Sequence, residues 1–181
     1  MPNLGFDLDC VVVDCLDGLK DAIYKEFGVY TSDSTYKPYA FYAMAFTGNE
    51  VLDSEIAKFI VKRVRDEDFY VNLEPTKGSI QGLKYLKSLG HDLFFISSRP
   101  FQHTNVSEQW LNDHGIGDSV VFHTHEKAPI VKSLSLDYYV DDVTKHLMSI
   151  YNSCYVPPLG LVVFDAPWNR DYNKMLFSKL S

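Results

Sequence analysis

The chain has 181 residues, a length that fits one domain or a core with a small insert. Hydrophobic residues make up 46% of it and charged residues 23%, a globular composition that excludes a disordered chain. The formal net charge of −7 argues against nucleic acid as a partner, because a surface of this sign repels a phosphate backbone. A site rich in carboxylates can instead hold a divalent metal.

The cysteines and the N-terminus indicate a cytoplasmic protein. Cys10, Cys15 and Cys154 cannot form a disulfide framework, and an odd count is typical of a reducing compartment. The acids at positions 7 and 9 do not fit the charged and then apolar layout of a signal peptide. The longest apolar-aromatic run, residues 39–46, is far shorter than the roughly 20 residues that span a bilayer. We therefore expect a soluble, cytoplasmic chain with no membrane partner.

Five short apolar runs predict buried β-strands, because they carry β-branched and aromatic residues and each is followed by polar residues. In chain order they cover residues 4–6, 91–96, 119–122, 137–140 and 161–164. Helical patterns lie between the later runs, at residues 80–89, around 106–115, and at 128–134 and 143–150. Thr76 is the predicted N-cap of the first of these helices. Strands alternating with helices predict an α/β fold, a parallel sheet with helices on both faces.

Residues 15–75 break this alternation and predict a helical insert after the first strand. Apolar residues keep helical spacing at 16–27 and at 56–64, and no strand of comparable quality lies between them. Eight of the 23 residues from Tyr24 to Phe46 are aromatic. Most of these rings are expected to form the core of the insert, and a minority to face a flat ligand. The expected domains are an α/β core of residues 1–14 and 76–181 and a helical cap of residues 15–75.

Polar side chains follow the predicted strands at the edge where parallel sheets bind ligands. Asp7 and Asp9 follow the first strand and point to the same side of an extended chain. Residues 141–142 bring a second acid pair, and such acids repel each other unless a cation lies among them. Carboxylates without His or Cys partners suit Mg²⁺. An isolated Asp-x-Asp is more often a solvated strand end, but Ser97-Ser98 and Lys127 at the same edge favour a functional site.

Four of these segments, in order, resemble the motifs of the haloacid dehalogenase (HAD)-like phosphohydrolases. Asp7-Leu8-Asp9 resembles the first motif, and residues 95–100 (FISSRP) resemble the second. Lys127, which precedes Asp141 by 14 residues, resembles the third, and Val140-Asp141-Asp142 resembles the acidic fourth. The resemblance covers most of the chain. It implies a Rossmann-like (HAD-type) parallel sheet core with a small helical cap inserted after the first strand.

The resemblance also implies a Mg²⁺-dependent phosphomonoester hydrolase and a role for each motif. Asp7 would be the nucleophile that forms an aspartyl-phosphate, and Asp9 the general acid and base. The residues expected to hold phosphoryl oxygens are Ser97, Ser98 and Lys127. The expected metal ligands are Asp7, the backbone carbonyl of Asp9, Asp141 and Asp142, the last directly or through water.

Within this superfamily the chain is most similar to the 5′(3′)-deoxyribonucleotidase-like branch. The similar features are Asp14 after the Asp-x-Asp pair, a helical cap of this size, and residues 167–169 (PWN), which resemble the branch's Pro-Tyr-Asn. This resemblance implies a 5′-nucleotidase that acts on (deoxy)nucleoside monophosphates. The residue after the second aspartate is usually Gly in the family. Here it is Cys10, which fits the same turn if its φ stays negative.

Three residues are candidate substrate contacts. Arg99 would reach a phosphate or sugar, or else form an ion pair with a nearby acid. Tyr39 and Tyr42 of the cap, with their neighbours Tyr36 and Phe41, are candidates for stacking on a nucleobase, or else they pack inside the cap. The expected partner is thus a small-molecule phosphomonoester.

Two other functions remain open. The first is the same reaction on a 3′-phosphate nucleic-acid end or a sugar phosphate, although the acidic net charge argues against the nucleic acid. The second is a non-catalytic protein of the same fold that binds a phosphoryl ligand. A cysteine at position 10 favours this non-catalytic alternative. Against it stands the presence of all five expected catalytic, phosphate-binding and metal-binding residues, Asp7, Asp9, Ser97, Lys127 and Asp141. No feature of the sequence predicts an oligomeric state.

Overall fold

The computed structural model describes residues 1–31, 47–153 and 160–170, which contain a five-stranded parallel sheet. The strands are β1 (Asn3–Phe6), β2 (Asp92–Ser97), β3 (Val120–His123), β4 (Tyr138–Asp141) and β5 (Gly160–Val163). Their order in the sheet is β3-β2-β1-β4-β5, and every pairing is parallel. The predicted parallel sheet is confirmed, and each strand lies within one residue of its predicted bounds.

Helices occupy the connections between the strands. Between β1 and β2 lie α1 (Cys15–Phe27), α2 (Glu50–Arg63), α3 (Glu67–Val71) and α4 (Ser79–Ser88), and the later connections contain α5 (Thr104–Asp113), α6 (Lys127–Ser133) and α7 (Thr144–Ser153). The described part of residues 15–75 contains helices and no strand. Helix α3 was not predicted, because five residues are too few to show a periodic apolar pattern. None of the described helices combines the length and the hydropathy needed to cross a membrane.

The helices cover both faces of the sheet, as predicted. Leu93 and Phe95 of β2 belong to a core cluster that includes residues of α1, α2, α4 and α5. Ile96, the next residue along β2, belongs to a second cluster with residues of α6 and α7. Successive strand residues point to opposite faces, so the two clusters lie on opposite sides of the sheet. Burial on both faces explains why the strands read as continuous apolar runs rather than as alternating patterns.

The strand order reverses next to β1. Strands β2 and β3 are added on one side of β1, and the chain then crosses to the other side to form β4 and β5. At such a point the loops that leave the two neighbouring strands diverge and open a crevice at their carboxyl ends. Asp7 directly follows β1 and Asp141 is the last residue of β4. The fold therefore brings these two acids to the same crevice.

The chain segments around residues 12–14 and 74–76 pair with each other beside this crevice. The N–H group of Asp14 donates to the carbonyl of Glu74 at 2.8 Å, and the N–H group of Thr76 donates to the carbonyl of Val12 at 2.9 Å. Because the Thr76 backbone pairs with Val12, α4 begins only after Gly78, which has a φ of 83°. This left-handed conformation is one that glycine adopts easily. The prediction of Thr76 as the N-cap is therefore wrong.

Candidate active site

A cavity of about 610 Å³ opens at the carboxyl ends of β1 and β4. Its volume is within the range of about 300–1,000 Å³ that is usual for small-molecule pockets. Its lining comes from separate parts of the chain. Residues 15–75 supply Val64, Arg65, Phe69 and Tyr70, and the rest of the chain supplies Asp7, Asp9, Ser98, Arg99, Asp142 and His146.

Lys127 joins the acids that follow β1 and end β4. Its Nζ atom lies 3.0 Å from Oδ1 of Asp7 and 2.7 Å from Oδ2 of Asp141. Burial alone would lower the pKa of Lys127, but the charges of Asp7 and Asp141 outweigh burial and raise it. The ammonium group therefore stays charged and compensates one of the two carboxylates.

The site holds more buried carboxyl groups than Lys127 alone can compensate if all of them ionise. Asp7, Asp141 and Asp142 are all buried. Burial raises the pKa of Asp7 to about 7, against the opposing charge of Lys127. Burial, followed by the charge of Asp7, also raises the pKa of Asp142 well above its ordinary value. Burial acts in the same direction on Asp141, but Lys127 and then His146 outweigh it and lower its pKa. An additional cation would relieve this repulsion.

The side chains at this point have the donor atoms of a metal site. One oxygen each of Asp7 and Asp141 and one ring nitrogen of His146 lie within 4.8 Å of one another. The carboxylate oxygens suit Mg²⁺, whereas an imidazole ligand suits transition metals. Two predicted ligands, Asp7 and Asp141, are thus brought together, and Asp142 lines the same cavity. The residues present fit a bound divalent cation.

Packing of the sheet holds Asp141 in place. The hydroxyl group of Tyr139 donates to the carbonyl of Ile96 at 3.2 Å and lies 3.3 Å from Oδ2 of Asp141. The N–H group of Val143 donates to Oδ1 of Asp141 at 2.8 Å. The Tyr139 ring fits because β1 has Gly5 at the neighbouring position, where a Cβ atom would lie only 2.7 Å from the ring. A glycine in β1 thus contributes to the geometry of an acid in β4.

Asp9 lies on another part of the wall, where it pairs with Arg99. The Nε atom of Arg99 lies 3.0 Å from both carboxylate oxygens of Asp9, and Nη2 lies 2.5 Å from Oδ1. Nη1 donates to the hydroxyl of Ser107 at 3.0 Å. The guanidinium carbon lies 3.9 Å from the centre of the Tyr70 ring. Arg99 therefore forms the ion pair with a nearby acid that was considered from the sequence.

The two serines of the second motif have different surroundings. Ser97 is fully buried, and its hydroxyl accepts a hydrogen bond from the Arg99 N–H group at 3.1 Å. Ser98 lines the cavity, and its buried hydroxyl has no hydrogen-bond partner among residues 1–31, 47–153 and 160–170. Buried polar groups in native proteins normally have partners. Ser98 is therefore the better placed of the two to bind a ligand oxygen.

The turn after Asp9 holds Cys10 in a left-handed conformation. Its φ is 60°, so the condition of a negative φ, under which we expected a cysteine to fit this turn, is not met. The N–H groups of Val12 and Val13 nevertheless donate to the carbonyl of Leu8, at 2.9 and 2.8 Å. The sulfur atoms of Cys10 and Cys15 lie 3.2 Å apart, and burial raises the pKa of the Cys10 thiol to about 11. The turn therefore forms with a cysteine at position 10.

The remaining predicted residues are the aromatic residues of the cap and Asp14. Tyr39 and Tyr42 fall outside the described residues, as do Tyr36 and Phe41, so their contact with substrate stays a prediction. Asp14 accepts a hydrogen bond from the N–H group of Asp17 at 3.0 Å, which makes it the N-cap of α1.

Tyr70 and His146 line the cavity and contact predicted site residues, but the sequence did not single them out. Tyr70 belongs to the short helix α3, which has no periodic pattern to reveal it. His146 follows Asp141 by five residues in α7, and a histidine in the first turn after an acidic motif is the signal that would have indicated it. Tyr70 contacts Arg99 and His146 contacts Asp141, two residues that the sequence did identify.

Comparisons with known proteins identify the family of this chain. A profile of the family described as 5′ nucleotidase, deoxy (Pyrimidine), cytosolic type C protein matches residues 1–178. A provisionally named nucleotidase of Oceanobacillus iheyensis is 29% identical over 120 residues, which cover 64% of this chain and 61% of that relative. A provisionally named nucleotidase of Bacillus cereus is 24% identical over 182 residues, covering 94% of this chain and 90% of that protein.

A solved structure supports the fold assignment. The haloacid dehalogenase-like family hydrolase of Streptococcus pneumoniae superimposes with a TM-score of 0.52 over 100% of this chain and 99% of its own. The two chains are 14% identical, so this likeness concerns the fold alone. It confirms the predicted Rossmann-like (HAD-type) α/β core.

Proposed function

Because the chain belongs to the family of cytosolic type C, deoxy (pyrimidine) 5′-nucleotidases, we propose that it is a phosphomonoester hydrolase that acts on deoxynucleoside 5′-monophosphates. The observation that carries this proposal is the buried cluster in which Lys127 contacts Asp7 and Asp141. A phosphate monoester is a dianion, so its hydrolysis requires charge neutralisation and in-line positioning of the nucleophile. The family description is the ground for the two finer points, a pyrimidine base and a cytoplasmic location.

In the proposed reaction Asp7 attacks the phosphorus atom. The bond between phosphorus and the ester oxygen breaks, and an aspartyl-phosphate forms on Asp7. Water then attacks this phosphorus, releases inorganic phosphate and regenerates the carboxylate. The N–H group of Leu8 and the ammonium group of Lys127 both bind Oδ1 of Asp7, at 2.8 and 3.0 Å. These contacts restrain the carboxylate, and we assign the attack to its other oxygen, Oδ2.

Asp9 is the proposed general acid and base. In the first step it gives a proton to the leaving ester oxygen, and in the second it takes a proton from the attacking water. Its protonation state is thereby restored after each turnover. Ser97, Ser98 and Lys127 hold the phosphoryl oxygens in this proposal. The buried hydroxyl of Ser98, which has no hydrogen-bond partner in the described part of the chain, supports its part in this set.

A divalent cation, which we propose to be Mg²⁺, would be held by Asp7, the backbone carbonyl of Asp9 and Asp141, with Asp142 as a further or water-mediated ligand. When bound, it offsets the repulsion between the carboxylates and the substrate phosphate. The support for this cation is that Asp7, Asp141 and Asp142 are all buried, whereas Lys127 forms ion pairs with only Asp7 and Asp141.

We also propose that residues 15–75 form the cap and that the core comprises residues 1–14 and 76–181. The paired backbone of Asp14 and Glu74 supports this boundary, and so does a cavity lined from both parts. Within the cap, Tyr39 and Tyr42 are proposed to stack on the base. Such stacking is worth about 1–3 kcal/mol per base.

Measurement of phosphate release tests the proposed function. The substrates are deoxynucleoside 5′-monophosphates, 3′-phosphorylated oligonucleotides and sugar phosphates, each with Mg²⁺ and with excess chelator. We expect Mg²⁺-dependent release from the deoxynucleotides, fastest with pyrimidine bases, and none from the Asp7→Asn variant. A folded wild-type chain that releases phosphate from none of these substrates would contradict the proposal. Preference for either of the other two substrate classes would replace the nucleotide with that class.

A further inference from the structure

A chain of contacts connects the helical insert with the proposed acid–base residue. Tyr70 of α3 stacks on the guanidinium group of Arg99, which lies 3.9 Å from the ring centre. Arg99 in turn binds both carboxylate oxygens of Asp9 through its Nε and Nη2 atoms. Asp9 and Arg99 are 90 positions apart in the chain. The contacts are therefore a product of tertiary packing, and with Tyr70 they join three separate segments of the chain.

The surroundings of Arg99 leave little of it for a substrate. Its side chain is only 1% exposed, although the residue forms part of the cavity wall. Nε and Nη2 bind Asp9, Nη1 binds Ser107, and one face of the guanidinium lies against Tyr70. Arg99 would have to break these contacts to bind a phosphate. Its contacts are instead those of a residue that affects the reaction by holding Asp9.

The contacts to the two oxygens of Asp9 are unequal. Oδ1 accepts from Nε and Nη2 of Arg99, and the thiol of Cys15 lies 3.5 Å away. Oδ2 is contacted by Nε, at 3.0 Å. The fork of Arg99 thus fixes the rotation of the carboxylate and leaves Oδ2 as the less occupied oxygen. A carboxylate held in this way presents the same oxygen to the cavity in every turnover.

We propose that Arg99 is a positioning residue for Asp9 and that Tyr70 orients Arg99, so that the insert sets the geometry of proton transfer. This inference rests on the proposed phosphatase activity. The expected cost of losing this geometry is large, because a misplacement of about 1 Å can lower a rate about 10²-fold. The proposal makes Arg99 and Tyr70 determinants of the rate of the reaction and gives them no direct contact with the substrate.

A double-mutant cycle between Arg99 and Asp9 tests the proposal. Arg99→Gln removes the fork, and Arg99→Lys keeps the charge alone. We expect Arg99→Gln to lower kcat on a deoxynucleotide about 10- to 100-fold with little change in KM, and Arg99→Lys to restore part of the loss. In the Asp9→Asn background Arg99→Gln should lower kcat by less than about 3-fold. An equal loss in both backgrounds, or a loss confined to KM, would overturn the proposal.

The leaving group separates positioning from general damage to the fold. p-Nitrophenolate leaves without needing a proton, whereas a deoxynucleoside does. In Arg99→Gln, the first-turnover burst of p-nitrophenolate should be nearly preserved, while the first turnover of the nucleotide should slow by the full factor. Parallel losses in the two bursts would overturn the proposal, and a lower unfolding midpoint beside them would show that the role of Arg99 is merely structural.

Tyr70→Leu tests the part played by the insert. It removes the ring against Arg99 and should reproduce part of the kcat loss, again with little effect in the Asp9→Asn background. Tyr85→Leu is the matched control, because it removes a 64% exposed tyrosine from α4. Unchanged kcat in Tyr70→Leu would remove the insert from the proposal. A wild-type chain inactive on every phosphomonoester would overturn the proposed function itself, whereas additive losses in an active enzyme would overturn only the positioning role.

Discussion

The ammonium nitrogen of Lys127 lies 3.0 Å from Oδ1 of Asp7, and the two residues come from the start of α6 and the loop after β1. Both side chains are almost fully buried. A buried ion pair contributes little net stability when intact, but the removal of one partner leaves an uncompensated charge. The stability of the site should therefore be much more sensitive to Lys127 than to any exposed lysine.

Lys127→Met is expected to lower the free energy of unfolding of the metal-free protein by about 3–5 kcal/mol near pH 8, because the acids lose their cation. Denaturant unfolding measures this change. Added Mg²⁺ should recover part of the loss, since it supplies positive charge to the same carboxylates. Lys132→Met is the matched control, because Lys132 is exposed in the same helix and should change stability by less than about 0.5 kcal/mol. Equal effects of the two substitutions would contradict the prediction.

Asp7→Asn should change the pH dependence of stability in the metal-free protein. Burial raises the pKa of Asp7 to about 7 in the folded chain, whereas the pKa of an aspartate in the unfolded chain is about 4. Between these values the folded state retains a proton that the unfolded state has lost, so wild-type stability falls as the pH rises. An asparagine at position 7 does not titrate, so this fall in stability is absent from the variant. The free energy of unfolding of the variant relative to the wild type should therefore increase from about pH 4 to pH 7 and then level off.

Thermal unfolding midpoints between pH 4 and pH 8, measured with a chelator present, provide the test. Asp92→Asn replaces an exposed aspartate at the start of β2 and serves as the control. Its curve should run parallel to that of the wild type. A parallel curve for Asp7→Asn as well would show that the Asp7 carboxyl titrates alike in the folded and unfolded states.

His146→Asn is expected to change the metal selectivity of the site, by weakening Co²⁺ binding more than Mg²⁺ binding. The imidazole Nδ1 lies 3.2 Å from Oδ2 of Asp141, within reach of a cation shared with that carboxylate. Loss of a ligand or its close neighbour typically weakens metal binding about 10- to 100-fold, and we expect this loss for Co²⁺. Mg²⁺ prefers oxygen ligands, so its affinity should change much less. Calorimetric titration with each metal, and the visible absorption of Co²⁺, give the comparison. An equal loss for the two metals would remove His146 from the ligand set.

The sheet could be predicted because each strand is a short apolar run that ends in polar residues. The same pattern placed Asp7 and Asp141 at one edge, since a parallel sheet directs all its carboxyl ends to that side. The observed strands extend the prediction by one residue at Ser97 and Asp141, which are strand residues rather than loop residues. Local sequence is enough to locate these side chains because their positions depend on backbone direction alone.

The contacts of Arg99 could not be predicted in the same way. Its partners Asp9 and Tyr70 lie far away in the sequence, and their meeting depends on how the insert packs on the core. The five residues of α3 carry no period from which a helix is inferred. The left-handed conformation of Cys10 could not be predicted from the cysteine itself, because most residues other than glycine avoid that conformation.

The left-handed turn at Cys10 leads to a prediction about stability. A non-glycine residue in this conformation costs about 1–2 kcal/mol, which glycine avoids. Cys10→Ala and Cys10→Gly both remove the sulfur that contacts Cys15, so they differ mainly in how they tolerate a φ of 60°. The glycine variant should therefore be the more stable of the two by about 1 kcal/mol in denaturant unfolding.

The same pair of substitutions at Cys15 provides the control. Cys15 is the first residue of α1, where alanine is favoured over glycine by roughly 0.5–1 kcal/mol. The order of stability should therefore be reversed, with Cys15→Ala above Cys15→Gly. All four variants lose a thiol from the same buried contact between Cys10 and Cys15. If glycine is the more stable replacement at position 10 and alanine at position 15, the difference reports the backbone conformation at each position. If alanine were the more stable replacement at both positions, the turn after Asp9 would not hold residue 10 in the left-handed conformation.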